Sequence, residues 1–172
     1  MATIIVRKAT EKDSELIAEL SRQTFYETYA AHNVKEELDA FMSETYTKEA
    51  LMKEVGAPGN VFFLAYDDDE AVGYLRLREH NDPKELVGLS VIEIARIYVV
   101  KKFIGKGIGK ALMEKSISFA KENNKNIIWL AVWPKNKPAI DFYIKCGFEK
   151  FGEQDFVFGK EIQKDWLMKK EI

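Results

Sequence analysis

Between Ile97 and Leu112 the chain passes from a strand-like apolar segment through three alternate glycines into an amphipathic helical pattern, with four lysines and no acid. Gly105, Gly107 and Gly109 can take backbone angles closed to other residues and present bare N–H groups. A helix beginning near Gly107 adds unpaired amides and the positive end of its dipole. With Lys101, Lys102, Lys106 and Lys110 beside them, these residues suit a phosphate, although glycines at this junction can also serve only a turn. The whole chain carries a formal charge of −2, so the basic charge is placed, not spread. Two common phosphate motifs fail here. The dinucleotide fingerprint needs glycine or alanine at Lys110, and the nucleotide P-loop needs glycine at Ile104 and a hydroxyl residue at Ala111.

The run Ile104-Gly105-Lys106-Gly107-Ile108-Gly109 resembles the acetyl-CoA signature of the GCN5-related N-acetyltransferases (GNAT family), Arg/Gln-x-x-Gly-x-Gly/Ala, with Ile104 replacing the usual Arg or Gln. Downstream, Asn136-Lys137-Pro138-Ala139-Ile140-Asp141-Phe142-Tyr143-Ile144-Lys145-Cys146-Gly147-Phe148 resembles a second segment of that family. The segments Glu93–Tyr98, Ile128–Trp133, Thr24–Tyr29 and Phe158–Met168 are similar to bacterial spermidine/spermine acetyltransferases of the PaiA type, with Ala95 where that group tends to carry a second glutamate.

The resemblance implies an α/β (α+β) GNAT fold and direct attack of an amine on the acetyl thioester of acetyl-CoA, in a ternary complex without a covalent enzyme intermediate. It implies that the main chain of Ile97, Tyr98 and Val99 binds the pantetheine arm. Ile104, Gly105, Lys106, Gly107, Ile108, Gly109 and Lys110 would hold the diphosphate, Asn136 would contact the cofactor arm, and Lys145 would reach the ribose phosphate. Tyr143 takes the family position of the acid that protonates the departing thiolate; taken alone, Phe142-Tyr143 reads as core aromatics.

An alkyl amine near pKa 10 must also lose a proton. Glu93, an acid inside an apolar strand, is the base candidate, because burial can raise its pKa; an outward-facing residue fits the same pattern. The acceptor is expected to meet residues 24–55 and 80–88. Glu27 and Tyr29, with Glu36, Glu37 and Glu44, fit either an acidic rim for a polycation or the solvated faces of amphipathic helices. Trp133 and Trp129 either shape the cleft or fill the core.

The elements that position these residues are set by periodicity. A strand is predicted at 3–9, then a capping box from Thr10 to Asp13 opening a helix to about residue 25. Helices at 34–45 and 47–55, the second capped by Thr47, precede a hairpin of Val61–Tyr66 and Ala71–Leu77 around the acidic turn Asp67-Asp68-Asp69-Glu70. A polar loop at 80–88 leads to a strand at 89–100. The helix after the glycines shows Ile108, Ala111, Leu112 and Phe119 on one side. Ile127–Val132 is a short apolar run that should lie parallel to strand 89–100. A helix at 138–146 and a hairpin of 148–158 and 162–171 complete a mixed, mostly antiparallel sheet with helices on both faces.

At 172 residues, 47% hydrophobic and 31% charged, the chain reads as one folded domain, 1–172. It shows no membrane-length apolar run and no signal-peptide pattern at Met1–Arg7, so a cytoplasmic location is expected. Cys146 is the only cysteine, and no metal site is expected; Cys146 reads as a small buried residue at a helix end, and His32 and His80 as surface or loop residues. The expected partner is a small-molecule amine, with a homodimer open and no nucleic acid or membrane partner. The alternatives are a protein or peptide acetyltransferase with a more open groove, and a non-catalytic acetyl-CoA sensor.

Overall fold

Alternation along the strands gives the sheet two apolar faces, and the helices cover both. The computed structural model describes residues 3–158 and 160–172; Met1 and Ala2 of the N-terminal segment, and Gly159 within Phe158–Met168, lie outside the described residues. The order is β1 (Ile4–Lys8), α1 (Ser14–Tyr29), α2 (Lys35–Glu44), α3 (Lys48–Glu54), β2 (Asn60–Asp67), β3 (Glu70–Arg78), β4 (Val91–Val99), α4 (Ile108–Glu122), β5 (Ile127–Val132), α5 (Lys137–Lys145), β6 (Glu149–Phe158) and β7 (Glu161–Glu171). The sheet order is β1-β2-β3-β4-β5-β7-β6, with β4 and β5 parallel and the other neighbours antiparallel.

On one face Phe63, Leu75, Leu77, Ile92, Ile94, Ile128 and Leu130 meet Ile108, Leu112 and Met113 of α4 and Ile140 and Tyr143 of α5. On the other, Phe62, Leu64 and Tyr74 meet Ile17 and Leu20 of α1, while Phe25, Leu38, Met42, Tyr46 and Leu51 tie α1, α2 and α3 together. Each such side chain contributes about 1.5–3 kcal/mol by leaving water. Trp129, fully buried, packs in a further cluster with Leu86, Val91, Ile127 and Leu167, its indole N–H donating to Asp82 at 3.3 Å.

The predicted caps form. Thr10 and Asp13 make the capping box, and Thr47 accepts from the Ala50 N–H at 3.2 Å. Three boundaries differ. α1 runs a turn past residue 25 to Tyr29, because Phe25 and Tyr29, one turn apart, stack with ring centroids 4.4 Å apart. The polar loop at 80–88 contains a turn of 3₁₀ helix, Lys84–Leu86, which buries Leu86, and β4 begins at Val91.

The sheet is irregular at its centre. β4 pairs with β5 only from Val91 to Ile94, against Ile127 to Leu130. Beyond this, a bulge at Ala95 breaks the register with β3, which jumps from Arg76↔Arg96 to Leu77↔Ile94. A bulge bends its strand and increases the local twist. β5 instead continues along β7 to Val132↔Trp166. Among the described residues, β4 from Ala95 to Val99 therefore has no strand on its β5 side, and a wedge opens between the two strands.

Candidate active site at the opening between β4 and β5

At the end of β4 the backbone turns sharply. Val100 N–H donates to Val72 O at 2.8 Å, Phe103 N–H to Val100 O at 2.8 Å and Ile104 N–H to Lys101 O at 3.2 Å. Gly105 and Gly107 then take φ of +87° and +86°, the left-handed region that costs other residues about 1–2 kcal/mol. Gly107 caps α4, whose first intrahelical bond runs from Ala111 N–H to Gly107 O at 3.1 Å. The N–H groups of Ile108, Gly109 and Lys110 thus have no helical acceptor, and no acid occupies this first turn. Lys102 and Lys106 each place an ammonium group 5.1 Å from the Phe103 ring, beside the turn. Bare amides, a helix dipole and exposed lysines form an anion site matched to a diphosphate.

Behind the turn, α5 packs on the start of α4. A Cβ on Gly109 would stand 3.6 Å from the Phe142 ring, so this glycine lets backbone and ring lie close. Tyr143, the next residue, is buried against Phe142 and Phe148, with ring centroids 5.6 and 6.0 Å away. Burial pushes its phenol well above the usual range, and the Tyr29 phenol adds to the shift. Ile97 and Val99 turn their side chains to the α4 face, while Tyr98 faces α1. Tyr98 is also raised by burial, followed by the influence of Tyr29, Tyr46, Tyr74 and Tyr143.

Tyr29 and Trp133, which the sequence assigned to the acceptor, stand together, with ring centroids 5.0 Å apart; His32 meets the same indole edge-on at 5.5 Å. Burial, then the carboxylate of Asp165, pushes the Tyr29 phenol up to about 12, and the Tyr98 hydroxyl hydrogen-bonds it. A cleft of about 160 Å³ opens between Trp133, Lys135, Glu161 and Gln163. A hollow of about 200 Å³ beside Lys8, Gly56 and Phe62 shares no residue with this region.

Several sequence assignments acquire a different setting. Glu27 accepts through Oε1 from the Lys101 N–H at 3.1 Å, which ties α1 to the glycine turn. Glu93 is buried, which removes the outward-facing reading, but both its oxygens are engaged. Arg78 donates to them at 2.8 and 2.9 Å and Asn81 adds a bond at 3.1 Å, so three of the carboxylate's about four acceptor sites are used. Asn136 uses its side-chain oxygen to cap α5, accepting from the Ala139 N–H at 3.3 Å, so the cap does not occupy its NH₂. Cys146 is half-buried, and burial raises its thiol; Lys145 is exposed on the last turn of α5.

Several site-side residues escaped the sequence reading. Asp165 of β7 is one. A second group lies under α3, where Glu54 accepts from Arg96 at 2.7 and 2.9 Å and from Arg76 at 3.0 Å, with Arg96 5.2 Å over the Tyr46 ring. These pairs depend on strand register and helix docking, which no local pattern announces.

Known proteins share this architecture. The family model described as the acetyltransferase (GNAT) family matches residues 15–148. An uncharacterized N-acetyltransferase of Lactobacillus delbrueckii subsp. lactis is 34% identical over 172 residues, covering 100% of this chain and 99% of that protein. The spermidine N(1)-acetyltransferase of Thermoplasma acidophilum is 27% identical over 167 residues, covering 94% of this chain and 99% of its own. The crystal structure of the PaiA N-acetyltransferase from Thermoplasma acidophilum in complex with coenzyme A superposes with a TM-score of 0.78 at 25% identity, covering 99% of each chain.

Proposed function

The chain belongs to the acetyltransferase (GNAT) family, and from that premise we propose that it acetylates a primary amine of a small molecule, with polyamines such as spermidine the acceptor class. Family membership makes it an acetyl-CoA-dependent N-acetyltransferase; the finer reading concerns the acceptor and the residues that serve it. The observation that carries it is the convergence at one opening of the α4 amides, the unpaired edge of β4 and the buried Tyr143.

The diphosphate fits the turn because Gly105 and Gly107 hold the main chain in the left-handed region and so aim the amides outward. The arm then runs along the open edge of β4 at Ile97–Val99 and brings the thioester into the wedge. The neutral amine nitrogen attacks the acetyl carbon, the C–S bond breaks, the sulfur takes a proton from Tyr143, and the proton lost by the nitrogen passes through water to restore the phenol. A tyrosine phenol is protonated at neutral pH, so the proton is in place when the thiolate forms. Glu93 acts as a positioning residue that fixes Arg78 across β3 and β4, and a proton it accepts from the amine would travel through water.

The polyamine class draws on the name of the Thermoplasma relative and on the aromatic pair Tyr29 and Trp133, whose faces suit an alkylammonium chain. Thiol release from acetyl-CoA, measured with spermidine, a simple alkyl monoamine, an amino acid and a lysine peptide, tests the reading. Turnover is expected with spermidine and the monoamine. Turnover confined to the peptide would overturn the small-molecule reading, and none with any acceptor despite tight coenzyme binding would favour a sensor.

A further inference from the structure

Asp165 stands in register with Gln154 of β6 and one residue beyond the last β5–β7 pair, Val132↔Trp166, which sets it level with Trp133. Strand alternation puts it on the same face as Leu167, with Tyr29 of α1, and opposite Trp166 and Met168. Its Oδ1 is sealed from solvent and has no hydrogen-bond partner among the described residues. A carboxylate oxygen in that state is unfavourable unless something completes it. Of the nearby carboxylates, Glu27 is engaged by the Lys101 N–H, Glu93 by Arg78 and Asn81, and Glu54 by Arg76 and Arg96, while Glu161 lines the cleft itself.

We infer that the carboxylate of Asp165 is the anionic partner of the acceptor's ammonium group, which it seats against the rings of Tyr29 and Trp133. This rests on the acetyl-transfer reading above and names the residue that selects its acceptor. Three features converge on a cation. An unpaired oxygen accepts a charge-assisted hydrogen bond. The rings of Tyr29 and the buried Trp133 pack together at 5.0 Å, and the Lys135 ammonium 6.0 Å from the Trp133 centroid shows that this aromatic edge accepts a positive charge on an alkyl stem. The cleft beside Trp133 and Gln163 gives the rest of the molecule a way in. The ammonium held there is an acceptor group other than the attacking nitrogen, which must be neutral and reach the thioester.

Several elements present groups to Asp165. α1 contributes the Tyr29 phenol, β6 the uncharged Gln154, and the turn after α1 places His32 against Trp133. Lys164 pairs with Asp155, and it lines the adjoining cleft together with Lys135 and Glu161. Desolvation raises the Asp165 carboxyl to about 6. The KM for an amine should therefore rise as the pH falls below about 6, where the anion is lost. Histidine also changes charge between pH 5 and 8, so the difference between wild type and variant makes the assignment.

Steady-state kinetics of Asp165→Asn and Asp165→Glu with spermidine and acetyl-CoA are the test. Asp165→Asn should raise the KM for spermidine by about tenfold or more, the worth of a charge-assisted hydrogen bond, with kcat and the KM for acetyl-CoA little changed. Its KM should no longer rise below pH 6, and Asp165→Glu should recover part of the affinity. If wild type acetylates amines while Asp165→Asn keeps its KM and pH profile, Asp165 is not the anchor and the acetyl-transfer reading stands. If wild type acetylates no amine, that reading fails, and Asp165 is judged by titrating spermidine into the coenzyme A complex calorimetrically. Heat present in wild type and lost in Asp165→Asn would support the anchor; equal heat, or none in either, would overturn it.

Discussion

Replacing Gly107 by alanine separates backbone conformation from space at the coenzyme turn. Gly107 has φ of +86°, and a Cβ there would meet nothing nearer than the end of the Ile4 side chain at 3.8 Å. Steric crowding is therefore not the issue; the left-handed backbone is, at about 1–2 kcal/mol for an L-residue. The variant either holds the turn, with a Tm lower by about 2–8 °C for a chain of this size, or relieves the strain by rotating and draws the neighbouring amides off their aim. Each amide lost from a phosphate is worth about 1.5–3 kcal/mol, about ten- to a hundredfold in Kd. Gly109→Ala is the control. Gly109 lies inside α4, a Cβ there would touch Phe142 at an ordinary 3.6 Å, and alanine should leave stability equal or higher by up to about 1 kcal/mol. Calorimetric titration of coenzyme A, with pantetheine as a ligand lacking the diphosphate, reads the outcome alongside melting curves. Gly107→Ala should weaken coenzyme A and leave pantetheine unchanged. A variant with wild-type stability and coenzyme A affinity, or with equal losses for both ligands, would refute the cradle.

Other substitutions test the remaining roles. Tyr143→Phe should lower kcat about a hundredfold while coenzyme A affinity is kept; unchanged turnover would remove the proton donor. Glu93→Gln removes one charge of a largely buried pair and should cost about 1–3 kcal/mol, seen as a lower Tm with a smaller loss of turnover than Tyr143→Phe. Unchanged Tm with abolished turnover would instead place proton transfer on Glu93. Asp165→Asn should raise Tm, because the folded-state carboxyl, at about 6, lies above its unfolded value of 3.8 and the ionised form is disfavoured by folding. At about 1.36 kcal/mol per unit the ceiling is about 3 kcal/mol, and partial exposure reduces it to about 1–2 kcal/mol. That gain should be present at pH 8, shrink as the pH falls through 6 and vanish by pH 4; a gain that persists at pH 4 would locate the effect elsewhere.

The parts of this protein that the sequence discloses are those written in local patterns. Period-two and period-3.6 apolar spacing announces the strands and helices in order, and Thr10 with Asp13 marks the start of α1. The glycines at 105 and 107 are legible because only such residues suit the backbone found there. The proposed acceptor side is legible only in part: the sequence singles out Tyr29 and Trp133, but Asp165 of β7 joins them only when the sheet is assembled. Asp165 lies in Gln163-Lys164-Asp165-Trp166, where nothing distinguishes a buried acid from a solvated one. The partner of Glu93 was equally hidden: the bulge at Ala95 sets the register that brings Arg78 opposite.

The central claim is that thioester and amine occupy one opening together and react without passing through the protein. Initial rates over a matrix of acetyl-CoA and spermidine concentrations address it directly. Double-reciprocal lines that intersect are the predicted result, the signature of a ternary complex. Parallel lines, with the free enzyme releasing thiol before any amine is added, would mean a covalent acetyl-enzyme and contradict the account.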